Sequence, residues 1–145
     1  MSMLQVEIMT PDRKVAGFEC EKVVVYGEDG FFTILPGHAK LISNVRISEL
    51  VCSGISTPSG EKEPVGSYFV SGGFVKIEKD SVQFFTPSAE RGDRIDLDRA
   101  EQARKRAVTV TQTATGGIDF DRAQAALERA LVRLRIGQKF GRKPQ

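Results

Sequence analysis

The chain has 145 residues, 40% hydrophobic and 28% charged, the size and make-up of one ordinary globular domain with room for a second small unit. No apolar run approaches the roughly 20 residues needed to span a bilayer. One histidine and two cysteines without CxxC spacing exclude a structural zinc site, and no GxxxxGK(S/T) phosphate loop is present.

The net charge of +2 conceals an asymmetry. Residues 1–90 hold 8 Lys+Arg against 12 Asp+Glu, net −4, and residues 91–145 hold 13 against 7, net +6. The two halves are therefore expected to face different partners or different chemistry. The opening segment MSMLQVEIMTPDRK has no charged leader followed by an apolar core, so no secretory or transit peptide is expected. On that reading the chain is intracellular, meets a membrane only through partners, and keeps Cys20 and Cys52 as buried free thiols.

From the N-terminus, Leu4, Val6 and Ile8 alternate with polar residues, the period of a half-buried strand. Strand-like runs follow at 15–19, 22–27, 30–35, 47–52, 67–78 and 81–85. Turn chemistry separates them at Pro11-Asp12, Gly27 to Gly30, Pro36-Gly37, Pro58 to Gly60 and Lys79-Asp80. Many short strands at close spacing, with no helical pattern between them, predict a sandwich or flattened barrel over residues 1–90.

Beyond residue 90 the period changes to three and four. Ala100, Ala103, Ala107, Val110 and Ala114 form one stripe, and Ala123, Ala126, Leu127, Ala130, Leu131 and Leu134 form another. They predict an antiparallel two-helix hairpin over residues 91–145, with helices at about 96–114 and 119–136 and a basic tail of Lys139, Arg142 and Lys143. Asp96 and Asp119 stand as N-caps. Ile95 with Ala100, and Ile118 with Ala123, stand at hydrophobic-staple positions. Gly116-Gly117 is expected to end the first helix and reverse the chain. An alanine seam buries little area, and VTVTQTAT weakens the end of the first helix. The hairpin is thus expected to be marginal, fraying from residue 108 onward or depending on docking to the β-rich head. An element with so small a free-energy gap is suited to moving between positions.

Three stretches in order carry a family resemblance: GFFTILPGHAKL at 30–41, VSGGFV at 70–75, and IDLDRAEQARKRA at 95–107 followed by DFDRAQAALERALVRL at 119–134. The first is similar to G-x-x-G-I-x-P-G-H-A-P-L, the second to a (V/L)SGG(F/I) strand pair, and the third to two C-terminal helices. Along nearly its whole length the chain resembles the epsilon subunit of F-type ATP synthases, called delta in mitochondria. The resemblance implies a β-sandwich followed by a C-terminal helical hairpin, in a stalk subunit without a catalytic site. Its sandwich would bind the foot of the gamma subunit and the polar loops of the c-ring. Its hairpin would fold against the sandwich, or extend along gamma into the alpha/beta catalytic hexamer and block ATP hydrolysis. A peripheral place on the cytoplasmic face of a bacterial inner membrane follows from the same resemblance.

For the gamma and c-ring interface the resemblance points to Asp29, Gly30, Phe31 and His38. Many family members carry a carboxylate where this chain has Phe31, and a glycine where it has Thr33. An apolar contact, or reliance on Asp29, is therefore expected in place of a charge pair. His38 has no carboxylate or cysteine at ligand spacing and is read as a structural or interface residue.

The arginines of the hairpin suggest a second site. Asp96, Arg99 and Arg106 share a face of the first predicted helix, and Arg122, Arg129 and Arg133 share one of the second. Facing guanidinium groups suit a polyphosphate. Some bacterial family members bind ATP through an (I/L)DxxRA motif, present here from Ile95 to Ala100. By resemblance a regulatory ATP would be held by Glu90, Ile95, Asp96, Arg99, Arg106, Arg129 and Arg133, with no cofactor required and no metal site. The plainer reading is a solvated basic face that pairs with carboxylates of the hairpin or of the catalytic subunits. A nucleic-acid-binding role for the basic hairpin is the alternative in another class. Interleaved Asp98, Glu101, Asp121 and Glu128 dilute its field, and only Phe120 and Phe140 offer stacking there.

Overall fold

The computed structural model describes residues 2–113 and 116–140. The chain divides into two compact units, Met1–Glu90 and Arg91–Gln145.

The first unit is built from β1 (Leu4–Met9), β2 (Lys14–Cys20), β3 (Lys22–Gly27), β4 (Gly30–Ile34), β5 (Leu41–Ser56), β6 (Lys62–Glu78) and β7 (Ser81–Phe85), with β8 (Ala89–Arg91) closing it. Neighbours along the sheet run β2-β1-β7-β6-β5-β3-β4, and β8 pairs with β6. β1 and β7 are parallel, while the other pairs along this path are antiparallel. Alternation does what it must: Leu4, Val6 and Ile8 of β1, Val23 and Val25 of β3, and Val82 and Phe84 of β7 all point inward. They meet Leu50, Val70, Val75 and Ile77 in one core, and β2 lies against β5, giving a β-sandwich.

β5 and β6 make this possible by serving both layers. Their ladder keeps one register from Leu41 opposite Ile77 to Ser56 opposite Lys62. β6 bends at Gly72 and Gly73, whose φ values of +97° and +107° are ones that residues with a side chain rarely adopt. A Cβ on Gly73 would lie 1.9 Å from the carbonyl oxygen of Phe85. The VSGGFV stretch is therefore a bend inside one strand and not the junction of a strand pair. Beside it the Ser88 N–H donates to Ser71 Oγ (2.8 Å), and the Ser71 N–H donates to Thr86 Oγ1 (3.1 Å), pinning β6 to the segment after β7.

The second unit opens with a 3-10 turn, Gly92–Arg94, and continues as α1 (Leu97–Thr113) and α2 (Gly117–Phe140). At the start of α1, Asp96 Oδ1 accepts from the Arg99 N–H (3.1 Å), an N-cap bond, and both Ile95 and Ala100 are buried. The start of α2 departs from expectation. Gly117 is its first residue, so Asp119 lies within the first turn and is no N-cap, and Ile118 is 72% exposed and is no staple. The far end departs too: α2 runs past Ile136 to Phe140 and includes Lys139, whereas Arg142 and Lys143 lie outside the described residues. Gly137, one residue past the predicted end of this helix, is a point of close approach. A Cβ there would meet Leu97 Cδ2 at 2.6 Å and Ile95 Cγ2 at 3.1 Å.

Ala100 and Ala107 of α1 and Ala123 and Ala130 of α2 are buried on the predicted stripes, while Val132 and Ile136, four residues apart, are buried on another face of α2. α1 runs to Thr113, and Ala114 lies outside the described residues. Over its last turns the hydroxyls of Thr109, Thr111 and Thr113 donate to the carbonyls of Lys105, Ala107 and Thr109 at 3.1, 2.7 and 3.1 Å. Such back-bonding keeps the hydroxyls satisfied within a helix that their branching disfavours.

Candidate functional site

The β3–β4 hairpin carries the first group of candidate residues. Gly27 pairs with Gly30, leaving Glu28 and Asp29 as the loop, and Gly30 has φ +120°. Asp29 is exposed, and Phe31, the first side chain beyond the turn, is 73% exposed. It is not loose. Opposite it in register, Tyr26 stacks on its ring at 4.4 Å, and the Arg46 guanidinium sits 5.3 Å from the Tyr26 centroid. Arg46 Nη2 donates to the Glu28 carbonyl (2.9 Å), and Asn44 Nδ2 donates to Glu28 Oε2 (3.2 Å), so the loop is tied to β5.

The same face continues across the sheet. Asn44 stands opposite Phe74, and Phe74 stacks on Phe85 at 4.8 Å. Ile42, two residues along β5 from Asn44, is 66% exposed on that face, and Phe74 is 43% exposed. The result is one outward strip running from Phe31 and Tyr26 through Arg46 and Asn44 to Phe74 and Phe85.

His38 belongs elsewhere. It follows the Pro36-Gly37 turn beyond the other end of β4, whose last residue, Ile34, lies about 10 Å of strand from Phe31. Its backbone N–H donates to Leu35 O (3.1 Å), and its Nδ1 lies 2.6 Å from Ala39 O, so that nitrogen carries the proton. The turn is anchored by the Gly37 N–H donating to Asp80 Oδ1 (2.7 Å). The structure brings Asp29, Gly30 and Phe31 together and sets His38 apart.

In the second unit α1 and α2 enclose a groove of about 640 Å³ floored by Ala103, Ala107, Val110, Ala123 and Ala126. Arg106 and Arg122 line it from opposite helices, with Asp119 beside them. Arg99, Arg129 and Arg133 are not part of its lining, although Arg129 and Arg133 lie half-buried on α2. Asp96 is engaged as the cap of α1, Ile95 is fully buried, and Glu90 lies in β8 of the first unit. Next to Arg99 on α1, Glu101 and Arg104 form a two-pronged pair, with Nη2 to Oε1 at 2.5 Å and Nε to Oε2 at 3.0 Å. That hydrogen-bonded pairing holds the Glu101 carboxyl below its usual range and raises the Arg104 guanidinium above its own. Among the described residues no group of three His, Cys, Asp or Glu side chains gathers as a metal site.

Of the residues that matter here, Tyr26, Arg46, Ile42 and Phe74 were not singled out by sequence. Only the cross-strand register aligns them, and Arg46 lies ahead of the segment that reads as a strand.

A β-sandwich followed by paired long helices defines a class. Residues 3–92 match the model of the ATP synthase, Delta/Epsilon chain, beta-sandwich domain, and residues 93–138 match that of the long alpha-helix domain of the same chain. An ATP synthase epsilon chain from Nitratidesulfovibrio vulgaris is 38% identical over 133 residues, covering 92% of this chain and 94% of the relative. Those of Moorella thermoacetica (36% identical; 93% and 96% covered) and Dehalococcoides mccartyi (36%; 100% and 99%) are similar over the same span or more. The chain belongs to the epsilon-chain family of F-type ATP synthases. The fold is shared with a chain of the Euglena gracilis mitochondrial ATP synthase (TM-score 0.71, 18% identity, 90% of this chain and 79% of that one). It is shared as well with a chain of the Tetrahymena thermophila mitochondrial ATP synthase (TM-score 0.63, 12% identity, 92% and 96%).

Proposed function

We propose that this chain is a non-catalytic rotor subunit of a proton-translocating ATP synthase, whose sandwich joins the gamma subunit to the c-ring and whose hairpin restrains ATP hydrolysis. The observation that carries the docking half is the outward strip from Phe31 to Phe85. Large rings held in fixed orientation at the surface offer binding area without a large ordering cost. Asp29, Gly30 and Phe31 form the tip of this contact, while His38, on a separate loop, is included on the resemblance alone. The Tetrahymena neighbour is described as part of a central stalk and c-ring assembly, which agrees with this reading. No helix among the described residues is long and apolar enough to cross a membrane, so the membrane is reached through partners, at the cytoplasmic face of a bacterial inner membrane.

The regulatory half rests on the hairpin. Its seam of small residues and back-bonded threonines make it inexpensive to rearrange, and its basic face suits the acidic surfaces of an alpha/beta hexamer. On the resemblance, a regulatory ATP belongs to this hairpin through Ile95, Asp96, Arg99, Arg106, Arg129 and Arg133, with Glu90 just before it in sequence. Arg106 supports the assignment by lining, with Arg122 of the other helix, a groove whose other walls are mostly small apolar residues. ATPase rates of the assembled enzyme with and without residues 95–145 test the restraint: removal is expected to raise the rate, and equal rates would remove it. Calorimetric titration with ATP, comparing the natural chain with Arg99→Ala and Arg106→Ala, tests the nucleotide. Absence of heat at millimolar ATP would end that part of the proposal.

A further inference from the structure

The path along the sheet ends at two strands, β2 and β4, each paired on one side only. The two edges are built differently. β2 carries Lys14 and Glu19, joins Lys14 to Glu7 of β1 by an ion pair (3.2 Å), and shifts register against β1 at Ile8–Met9. Charges and irregularities of this kind keep a further strand from adding to an edge. β4 reads GFFTI, with no charge and no proline, and its ladder with β3 is unbroken from Gly27–Gly30 to Val23–Ile34.

The register fixes which backbone groups are left over. Gly27 and Gly30 close a two-residue turn, so theirs is a hydrogen-bonded pair. Bonded and non-bonded pairs alternate along an antiparallel ladder, so Phe32 and Ile34 bond to β3 while Phe31 and Thr33 turn their N–H and C=O groups away from it. Among the described residues no strand, turn or side chain takes these four groups. The Leu35 carbonyl, next in phase, accepts from the His38 N–H (3.1 Å), and there the open stretch ends. The side chains of Phe31 and Thr33 are exposed as well.

We propose that the β4 edge from Phe31 to Thr33 is a strand-addition site, and that an extended segment of the gamma subunit fills it. The inference rests on the docking role proposed above and states how the partner is held. An incoming strand of about three to five residues pairs with all four groups and lays its alternate side chains beside the Phe31 ring. Phe31 is both the start of this edge and the end of the outward strip that reaches Phe85, so one partner covers both. An uncharged, aromatic edge suits apolar side chains on the added segment, which the polar loops of a c-ring do not supply. The exposed Asp29 at the turn suits a Lys or Arg at the segment's end.

Backbone amide exchange of the full chain, alone and bound to the gamma subunit of its own enzyme, reads the pairing directly. In the free chain the amides of Phe32 and Ile34 are expected to be protected and those of Phe31 and Thr33 to exchange. Binding is expected to slow Phe31 and Thr33 by about tenfold or more. Thr33→Pro removes one outward N–H and sets a ring in the path of the added strand, at an edge position that tolerates proline. It is expected to melt within a few degrees of the natural chain and to bind gamma about tenfold more weakly. Thr33→Val, which keeps the N–H, is expected to bind about tenfold more tightly than the proline variant. A gamma complex in which Phe31 and Thr33 still exchange freely, or which Thr33→Pro leaves undiminished, would overturn strand addition and leave the docking role standing. Protection only on self-association, or only with the c-ring, would overturn the assignment to gamma. A natural chain that does not bind gamma would remove the docking role and this inference together. The exchange pattern of the natural chain decides even if the proline variant does not fold.

Discussion

The ring of Phe31 lies 4.4 Å from that of Tyr26, tilted by 19°, in the most open part of the β3–β4 hairpin. Arg46 covers the other partner of this stack and also holds the loop carbonyl of Glu28. An aromatic surface is therefore held in fixed orientation by the chain's own contacts.

Replacing Phe31 by Asp separates the surface role from the structural one. The stack is worth about 0.5–1.5 kcal/mol, and an exposed side chain contributes little more to stability. The variant is expected to melt within a few degrees of the natural chain and to lose rotor binding by about tenfold or more. Melting curves and a binding titration check the two halves, and undiminished binding would rule out an apolar contact at this tip.

Gly73→Ala is expected to cost at least about 3 kcal/mol, because it combines a disfavoured φ with a Cβ driven into the Phe85 carbonyl. Urea unfolding measures it. A loss below 1 kcal/mol, on the order of an ordinary surface change, would mean that the bend relaxes easily and does not fix the strip.

Alternation and turn residues made most of the sandwich legible, but not the full reach of its two long strands. β5 starts at Leu41, where LISNVR shows no clean period, and β6 starts at Lys62, where Pro64 argues against a strand. The ladder accommodates Pro64 because it stands at the irregular position across from Gly54, where φ is +65° and neither residue is paired in the register. The helices were legible in their seam and in the Asp96 cap, but not at their ends. Gly117, expected to end the first helix, opens α2, and Gly137, past the predicted end of the second, lets α2 approach Ile95 and Leu97. The outward strip was beyond reach except for Phe31, since five strands, β3 to β7, contribute to it.

Asp96 has a structural duty that precedes any nucleotide. Asp96→Ala is expected to remove about 1 kcal/mol from the hairpin, and Asp96→Asn to retain most of it, both without ATP. Helicity followed by circular dichroism against temperature checks this. An alanine variant as stable as the natural chain would show that the cap bond contributes nothing.

The Glu101–Arg104 pair gives a pH signature. Its carboxyl has a folded-state pKa below the unfolded value, so its contribution is present above about pH 4 and fades as the pH falls through the lower folded value. The pair is exposed, so the effect is small and weaker at high salt. NMR titration of the Glu101 side chain is expected to show a lower midpoint in the natural chain than in Arg104→Gln. Identical midpoints would mean that the pair does not persist in solution.

Affinity purification of the full chain together with the other subunits of its ATP synthase tests the docking role most directly. A 1:1 complex with gamma that also retains the c-ring, and that Phe31→Asp weakens, is the expected result. Purification of the chain without gamma, or with nucleic acid in its place, would contradict it.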